Sequence, residues 1–182
     1  MKIQSIVGYY DSNTFVLEEG GATIIIDAGA KLSDLLVILG NRKPDAIFLT
    51  HEHFDHTYYL ADYKKEFGCP IYLPSGDNEI VVRNIVVKPI LCPGHSPKSV
   101  VYLIGENLFT GDVLFADSIG RTDFTSGAKP SIANPQERLI NDLMMQEALK
   151  QLQGVKFKVA WHGHYEPSLY EEQQKNIRRF LK

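Results

Sequence analysis

Apolar residues fall in short runs along the chain, separated by Gly, Pro, Asn and Asp. Ile3 to Val7, Asn13 to Glu18 and Ala22 to Asp27 read as strands, the last two joined by Glu19-Gly20-Gly21 in a hairpin. Lys31 to Leu39 reads as a helix stopped by Gly40 and followed by Pro44. Ala46 to Leu49 is apolar without alternation, which suits a strand covered on both faces. Thr57 to Phe67 predicts a second helix ended by Gly68-Cys69-Pro70. Ile71 to Leu73 predicts a strand, and Ile80 to Ile90 two more around a turn near Arg83-Asn84. Ser99 to Ile104 and Asn107 to Thr110 form another hairpin, turning at Gly105-Glu106.

Residues 111 to 133 lack a clear period, and loops of that length inside a compact domain are usually functional. Asn134-Pro135-Gln136-Glu137 is a helix start, with a capping side chain, proline at the first position and glutamate at the third. The helix is expected to run to about Gln153 with Leu139, Leu143 and Met144 facing inward. Val155 to Ala160 predicts the last strand, and Ser168 to Lys182 a closing helix with Arg178, Arg179 and Lys182 in its final turns.

Chemistry concentrates where one strand ends. After Ala46 to Leu49, His51 and His53 stand two apart, so an extended chain points both rings to one side. Asp55 and His56 follow where a helix can begin, giving a cation imidazole and carboxylate ligands within one short stretch. The chain has six histidines; the other three are His95 in a Pro-Gly loop and the pair His162 and His164. None is scattered elsewhere, as imidazoles used only for packing would be. Every candidate ligand lies at or just past the carboxyl end of a predicted strand, where α/β folds gather their chemistry.

Composition narrows the function classes. With 182 residues, 44% hydrophobic and 23% charged, the chain suits one globular domain, 1–182, with a real core. Nineteen basic residues against twenty-two acidic give a net charge of −3, which offers no basic stripe for nucleic acid. Cys69 and Cys92 cannot build a disulfide framework, and Cys92 reads as a small buried thiol at a strand end. The first residues lack a signal-peptide core and no run is long enough to span a bilayer, so a cytoplasmic location is expected.

His51, His53, Asp55 and His56 match the His-x-His-x-Asp-His motif of the metallo-β-lactamase superfamily. His95, the Asp112 of Phe-Thr-Gly-Asp and the late Gly163-His164 follow in that family's order. The chain resembles this family from about Asn13 onward. Within it, Leu108 to Phe124 looks like the glyoxalase II branch in its compact form, and persulfide dioxygenases share much of that stretch. The resemblance implies an α/β (α+β) αβ/βα sandwich of two mixed sheets flanked by helices, with metals at one edge. It implies one metal on His51, His53 and His95, a second on Asp55, His56 and His164, and Asp112 bridging them. Asp27 would hold a ligand histidine by its other ring nitrogen, and His162 would play a supporting or structural part.

Two zinc ions are the default for such ligands, with iron or manganese as alternatives. Two cations about 3.5 Å apart can share a water and draw its pKa towards neutrality. Asp55 and Asp112 would then take part in catalysis as well as ligation. The implied reaction is hydrolysis of a small, anionic thioester such as a 2-hydroxyacyl glutathione. The alternatives are persulfide oxidation by one iron on His51, His53 and either Asp112 or His95, lactone or phosphodiester hydrolysis, and a metal-stabilised binding protein without activity. Arg121 takes the place of a basic residue that in glyoxalase II holds the carrier's carboxylate. It reads equally as a loop-fixing partner of Asp117 or Asp123. Asp123 stands where the larger enzymes have tyrosine, and their C-terminal helical extension has no counterpart after His164. Tyr58, beside Tyr59, reads either as pocket lining or as packing.

Overall fold

The computed structural model describes residues 1–73 and 78–181. Eleven strands among the described residues form two sheets. The first holds β1 (Lys2–Val7), β2 (Asn13–Glu19), β3 (Ala22–Ile26), β4 (Ala46–Phe48) and β5 (Ile71–Tyr72) in that order. β1, β2 and β3 pair antiparallel, whereas β3, β4 and β5 run parallel. The second sheet is built from β6 (Ile80–Val82), β7 (Ile85–Leu91), β8 (Val100–Ile104), β9 (Asn107–Gly111), β10 (Val159–His162) and β11 (Ser168–Leu169). Its order is β11-β10-β9-β8-β7-β6, with β9 and β10 the parallel pair. The expected pair of mixed sheets is thus present.

Alternation along the strands explains the layering. Phe15, Leu17, Ile24, Ile26 and Phe48 meet Val87, Val100, Tyr102, Ile104 and Phe109 between the sheets. Their neighbours Val16, Ile25 and Ile47 point outward against Leu35 and Leu39 of α1 (Leu32–Leu39) and Tyr63 of α3 (Leu60–Phe67). Val101, Leu108 and Ala160 point the other way, against Met145, Leu149 and Leu152 of α4 (Pro135–Gln153) and Ile177 of α5 (Tyr170–Phe180). Helices cover both outer faces, which is why β3 from Ile24 to Ile26 and all of β4 are apolar.

Asn134 caps α4, accepting from the Gln136 and Glu137 amides at 3.0 Å, while Glu137 accepts from the Asn134 amide at 2.9 Å. The expected inward face of that helix is wrong. Leu139, Leu143 and Met144 are 59%, 60% and 39% exposed, and Met145, Ala148, Leu149 and Leu152 are the buried residues. The amphipathic pattern here is weak: Leu139, Ile140, Leu143 and Met144 share one side of the helix and Met145, Ala148, Leu149 and Leu152 the other, and docking on the sheet selects the second.

The helix expected from Thr57 to Phe67 is two pieces, α2 (Phe54–Thr57) and α3. Continuing α2 would bond the Tyr59 amide to the Asp55 carbonyl. Instead Ser12 Oγ donates to that carbonyl at 2.8 Å and the Tyr59 amide donates to Ala28 O at 2.9 Å. The last long strand runs Val159–His162 rather than Val155 to Ala160, and Ser168 and Leu169 pair with it before α5 begins. Lys182 lies outside the described residues. Among the described residues no helix is long and apolar enough to cross a membrane.

The reassigned face of α4 is directly testable. Leu149→Ala should cost about 2–5 kcal/mol in urea unfolding, whereas Leu143→Ala should stay within about 0.5 kcal/mol. Equal losses would put the helix on the wrong face.

Candidate metal centre

Four chain segments meet at one edge of the sandwich. Thr50 and His51 follow β4, His53 precedes the first turn of α2, and Asp55 and His56 lie within that turn. His95 sits in a turn after β7 closed by the Cys92 amide donating to Ser99 O at 2.8 Å. Asp112 follows β9 and His164 follows β10. The edge is also where the sheets are tied together, by Val100 N donating to Thr50 O at 2.8 Å and Tyr102 Oη donating to Leu49 O at 2.8 Å.

The side chains gather into two groups, His51 with His53 and His95, and Asp55 with His56, Asp112 and His164. Within each group the ligand atoms all lie within 4.8 Å of one another. Asp112 reaches both: Oδ1 is 3.2 Å from His56 Nε2, and Oδ2 is 3.5 Å from His164 Nε2 and 3.6 Å from His95 Nε2. All seven residues that the sequence nominates as ligands therefore meet at one place.

Partners behind the rings fix which nitrogen is bare. Asp27 Oδ1 accepts from the Thr50 amide and Oδ2 from the Thr50 hydroxyl, each at 2.8 Å. Having spent its proton on a carboxylate, Thr50 Oγ1 must accept from His51 Nδ1 at 3.0 Å, which leaves His51 Nε2 a lone pair. Asp27 Oδ2 also accepts from His56 Nδ1 at 2.9 Å. His95 Nδ1 donates to Arg121 O at 2.9 Å and His164 Nδ1 to Asp11 O at 3.0 Å. His53 is the exception: its Nδ1 faces His95 Nε2 at 2.9 Å, so Nδ1 carries the proton unless a cation displaces it to the other nitrogen.

This arrangement fits metal ions. Nε2 of His51, His53 and His56 and Oδ1 of Asp112 are buried without a hydrogen-bond partner. Each such atom costs about 1–3 kcal/mol. Cations in the two groups would satisfy those of His51, His56 and Asp112 and would meet His53 at Nδ1, and imidazole with carboxylate is a donor set for zinc, iron or manganese.

Proton affinities divide along the same line. Burial, aided by the charge of His95, lowers His53 to about 4, and burial with His56 alongside holds His51 well below its ordinary value. His95 is lowered mainly by burial. In the other group burial also opposes charge, yet the carboxylates win. Asp112 and Asp27 hold His56 well above its usual range, and Asp112 and Asp55 raise His164 to about 9. Asp112 is buried but held well below the usual carboxylate range by His56.

A cavity of about 300 Å³ opens over the centre, walled by Phe54, Phe115, Arg121, Phe124 and Pro130 with five of the seven candidate ligands at its floor. Tyr58 is not among the residues lining it; its ring stacks on Tyr9, centroids 3.9 Å apart, and remains half exposed. The wall position belongs to Phe54. His162 points away from both groups, its Nδ1 2.9 Å from Thr110 Oγ1 and its Nε2 2.9 Å from Ser168 Oγ. Gln173 and Asn176 of α5 both donate to the Phe115 carbonyl, at 2.7 and 3.0 Å, and so hold that wall residue in place.

Sequence reasoning missed Thr50 and the carbonyls of Asp11 and Arg121. Thr50 was visible as the residue before His51, but a carbonyl leaves no mark in sequence. It also missed why glycine precedes His164. A Cβ on Gly163 would stand 2.1 Å from Asp112 Oδ1 and 2.8 Å from His56 Cε1.

Two outcomes follow from this geometry. Gly163→Ala should displace Asp112 and lower the bound metal, counted by elemental analysis, while leaving the far-ultraviolet spectrum unchanged. Metal uptake should also be unequally pH-sensitive. His164 keeps a proton up to about pH 9 and His56 is shifted the same way, so protons compete with a cation there and affinity at that group falls as pH falls; at the three-histidine group burial lowers all three rings, His53 to about 4, so the competition is weaker. Calorimetry at pH 6 and pH 8 should show one binding step weakening with acidity and the other nearly constant.

The profile of the metallo-β-lactamase superfamily matches residues 7–88 and 76–164. A probable metallo-hydrolase of Bacillus subtilis, YqgX, is 26% identical over 69% of this chain and 77% of its own. A hydroxyacylglutathione hydrolase of Shewanella pealeana is 30% identical over 65% of this chain, and the match spans 48% of that enzyme, about half its length. Among solved structures, the BLEG-1 B3 metallo-β-lactamase superposes with a TM-score of 0.83 at 21% identity over 100% of both chains. The fold, the ligand geometry and the match over most of its length agree that this chain belongs to the metallo-β-lactamase superfamily, a superfamily of metallo-hydrolases.

Proposed function

We propose that the protein is a metal-dependent thioesterase of the hydroxyacylglutathione hydrolase type, holding two zinc ions. Asp112, which belongs to one ligand group and stands 3.6 Å from His95 of the other at the floor of a cavity, is the observation that carries this reading. When bound by these residues, a pair of divalent ions would supply Lewis acidity and would lower the pKa of a water towards neutrality. Asp55 and Asp112, their carboxyls held below the usual range, stay ionised and would orient an attacking water by accepting its hydrogens. Phe54, Phe115 and Phe124 exclude bulk solvent from the acyl carbon, which strengthens every charge interaction at it. A thiolate leaves without a general acid because its pKa is already low. Among the described residues lining the cavity there is no serine or cysteine, which agrees with attack by water.

The similarity to a hydroxyacylglutathione hydrolase and the Leu108 to Phe124 stretch support a thioester over a lactone. Persulfide oxidation on one iron would use only half of the centre. The second group is as fully built as the first, which favours hydrolysis.

Zinc-loaded protein should cleave lactoylglutathione, carry two ions per chain, and lose about 10³-fold in kcat/KM on His53→Ala. Turnover no higher than that variant's would remove the substrate assignment, and a single bound iron would favour the oxidative reading.

A further inference from the structure

Arg121 is the only lysine or arginine among the described residues lining the cavity, so it decides whether the mouth carries a positive charge. Its carbonyl is fixed by His95 and its side chain by two contacts. The guanidinium carbon lies 4.3 Å from the centroid of the Phe124 ring, and that ring packs edge-on against His53 and His95, centroids 6.0 and 6.1 Å away. Nε donates to Asp123 Oδ1 at 2.8 Å and Nη2 to Asp123 Oδ2 at 2.9 Å. This is the parallel, two-bond geometry with which arginine recognises any carboxylate. The protein's own residue occupies it. The positive charge of Arg138 also acts on Asp123 and adds to the forces keeping it ionised.

We propose that Asp123 is a specificity-determining residue: it fills the Arg121 fork as an internal carboxylate and so disfavours substrates whose thiol carrier bears a carboxylate at the mouth. An incoming carboxylate must displace Asp123 and then lie beside its charge. A carrier ending in a neutral amide meets neither cost and can pack its chain on Phe124 and Phe115. Among thioesters the preferred class is therefore one whose thiol is uncharged at that end, with any negative charge confined to the acyl part near the metals, and a glutathione thioester remains a substrate bound less tightly. The inference rests on the thioesterase reading for its substrate and on the Arg121–Asp123 geometry alone for its binding preference. Because both side chains contact solvent, the effect is modest and salt-dependent.

Two probes with capped sulfurs separate binding from turnover: S-methylglutathione, which carries carboxylates, and N-acetyl-S-methylcysteamine, which is neutral. In the metal-loaded protein, Asp123→Asn should tighten S-methylglutathione about fivefold by calorimetry, leave the neutral probe within about twofold, and lose the gain in 0.5 M salt. Adding Arg121→Gln to that variant should abolish the gain with metal content unchanged. For thioesters sharing one acyl group, the same change should appear as a lower KM for the glutathione carrier at constant kcat. An unchanged ratio between the probes, equal tightening of both, or no measurable binding of S-methylglutathione to Asp123→Asn would overturn the inference. Tighter binding without cleavage of any thioester would overturn the proposed reaction and leave the inference standing.

Discussion

A buried imidazole has two nitrogens, and a protein that wants one of them bare must occupy the other from behind. That constraint organises this molecule. Asp27 answers it twice, directly through His56 and through the Thr50 hydroxyl to His51. It does so from a left-handed backbone conformation, φ 62°, in which non-glycine residues are uncommon. Backbone carbonyls answer it for His95 and His164. The strain at Asp27 is held by neighbours on both sides: its amide donates to Phe48 O, and the next amide, Ala28, donates to His56 O.

The sandwich makes this arrangement affordable in chain length. Parallel neighbours β3 and β4 in one sheet, and β9 and β10 in the other, end at the same edge, so short loops from distant parts of the sequence converge there. The apolar layer between the sheets gives the edge a rigid base. Binding groups therefore sit on loops rooted in the paired strands, a common division of labour between scaffold and site.

Much of this was legible in the sequence. The ligands were, because metal chemistry restricts residue types and His51 to His56 satisfies that restriction at close spacing. The strands of the sandwich were, because covering both faces leaves unbroken apolar runs such as Ile24 to Ile26. What was hidden depends on partners remote in sequence. The break at Tyr58 and Tyr59 arises from Ser12 and Ala28, which capture the hydrogen bonds a continuous helix would have used. The buried side of α4 was decided by where the sheet surface lies, since leucines and methionines occupy several of its faces. Arg121 illustrates the same limit: two candidate partners were visible nearby, and only the coordinates choose Asp123.

Gln173 and Asn176 both reach from α5 to the carbonyl of Phe115. A helix about sixty positions downstream thus tethers one wall of the cavity, and it does so through amides whose other groups are buried. Such a tether couples fraying of the helix to loosening of the wall, so the two segments open cooperatively rather than independently. The shape offered to a bound molecule is to that degree a property of how firmly the final helix stays docked.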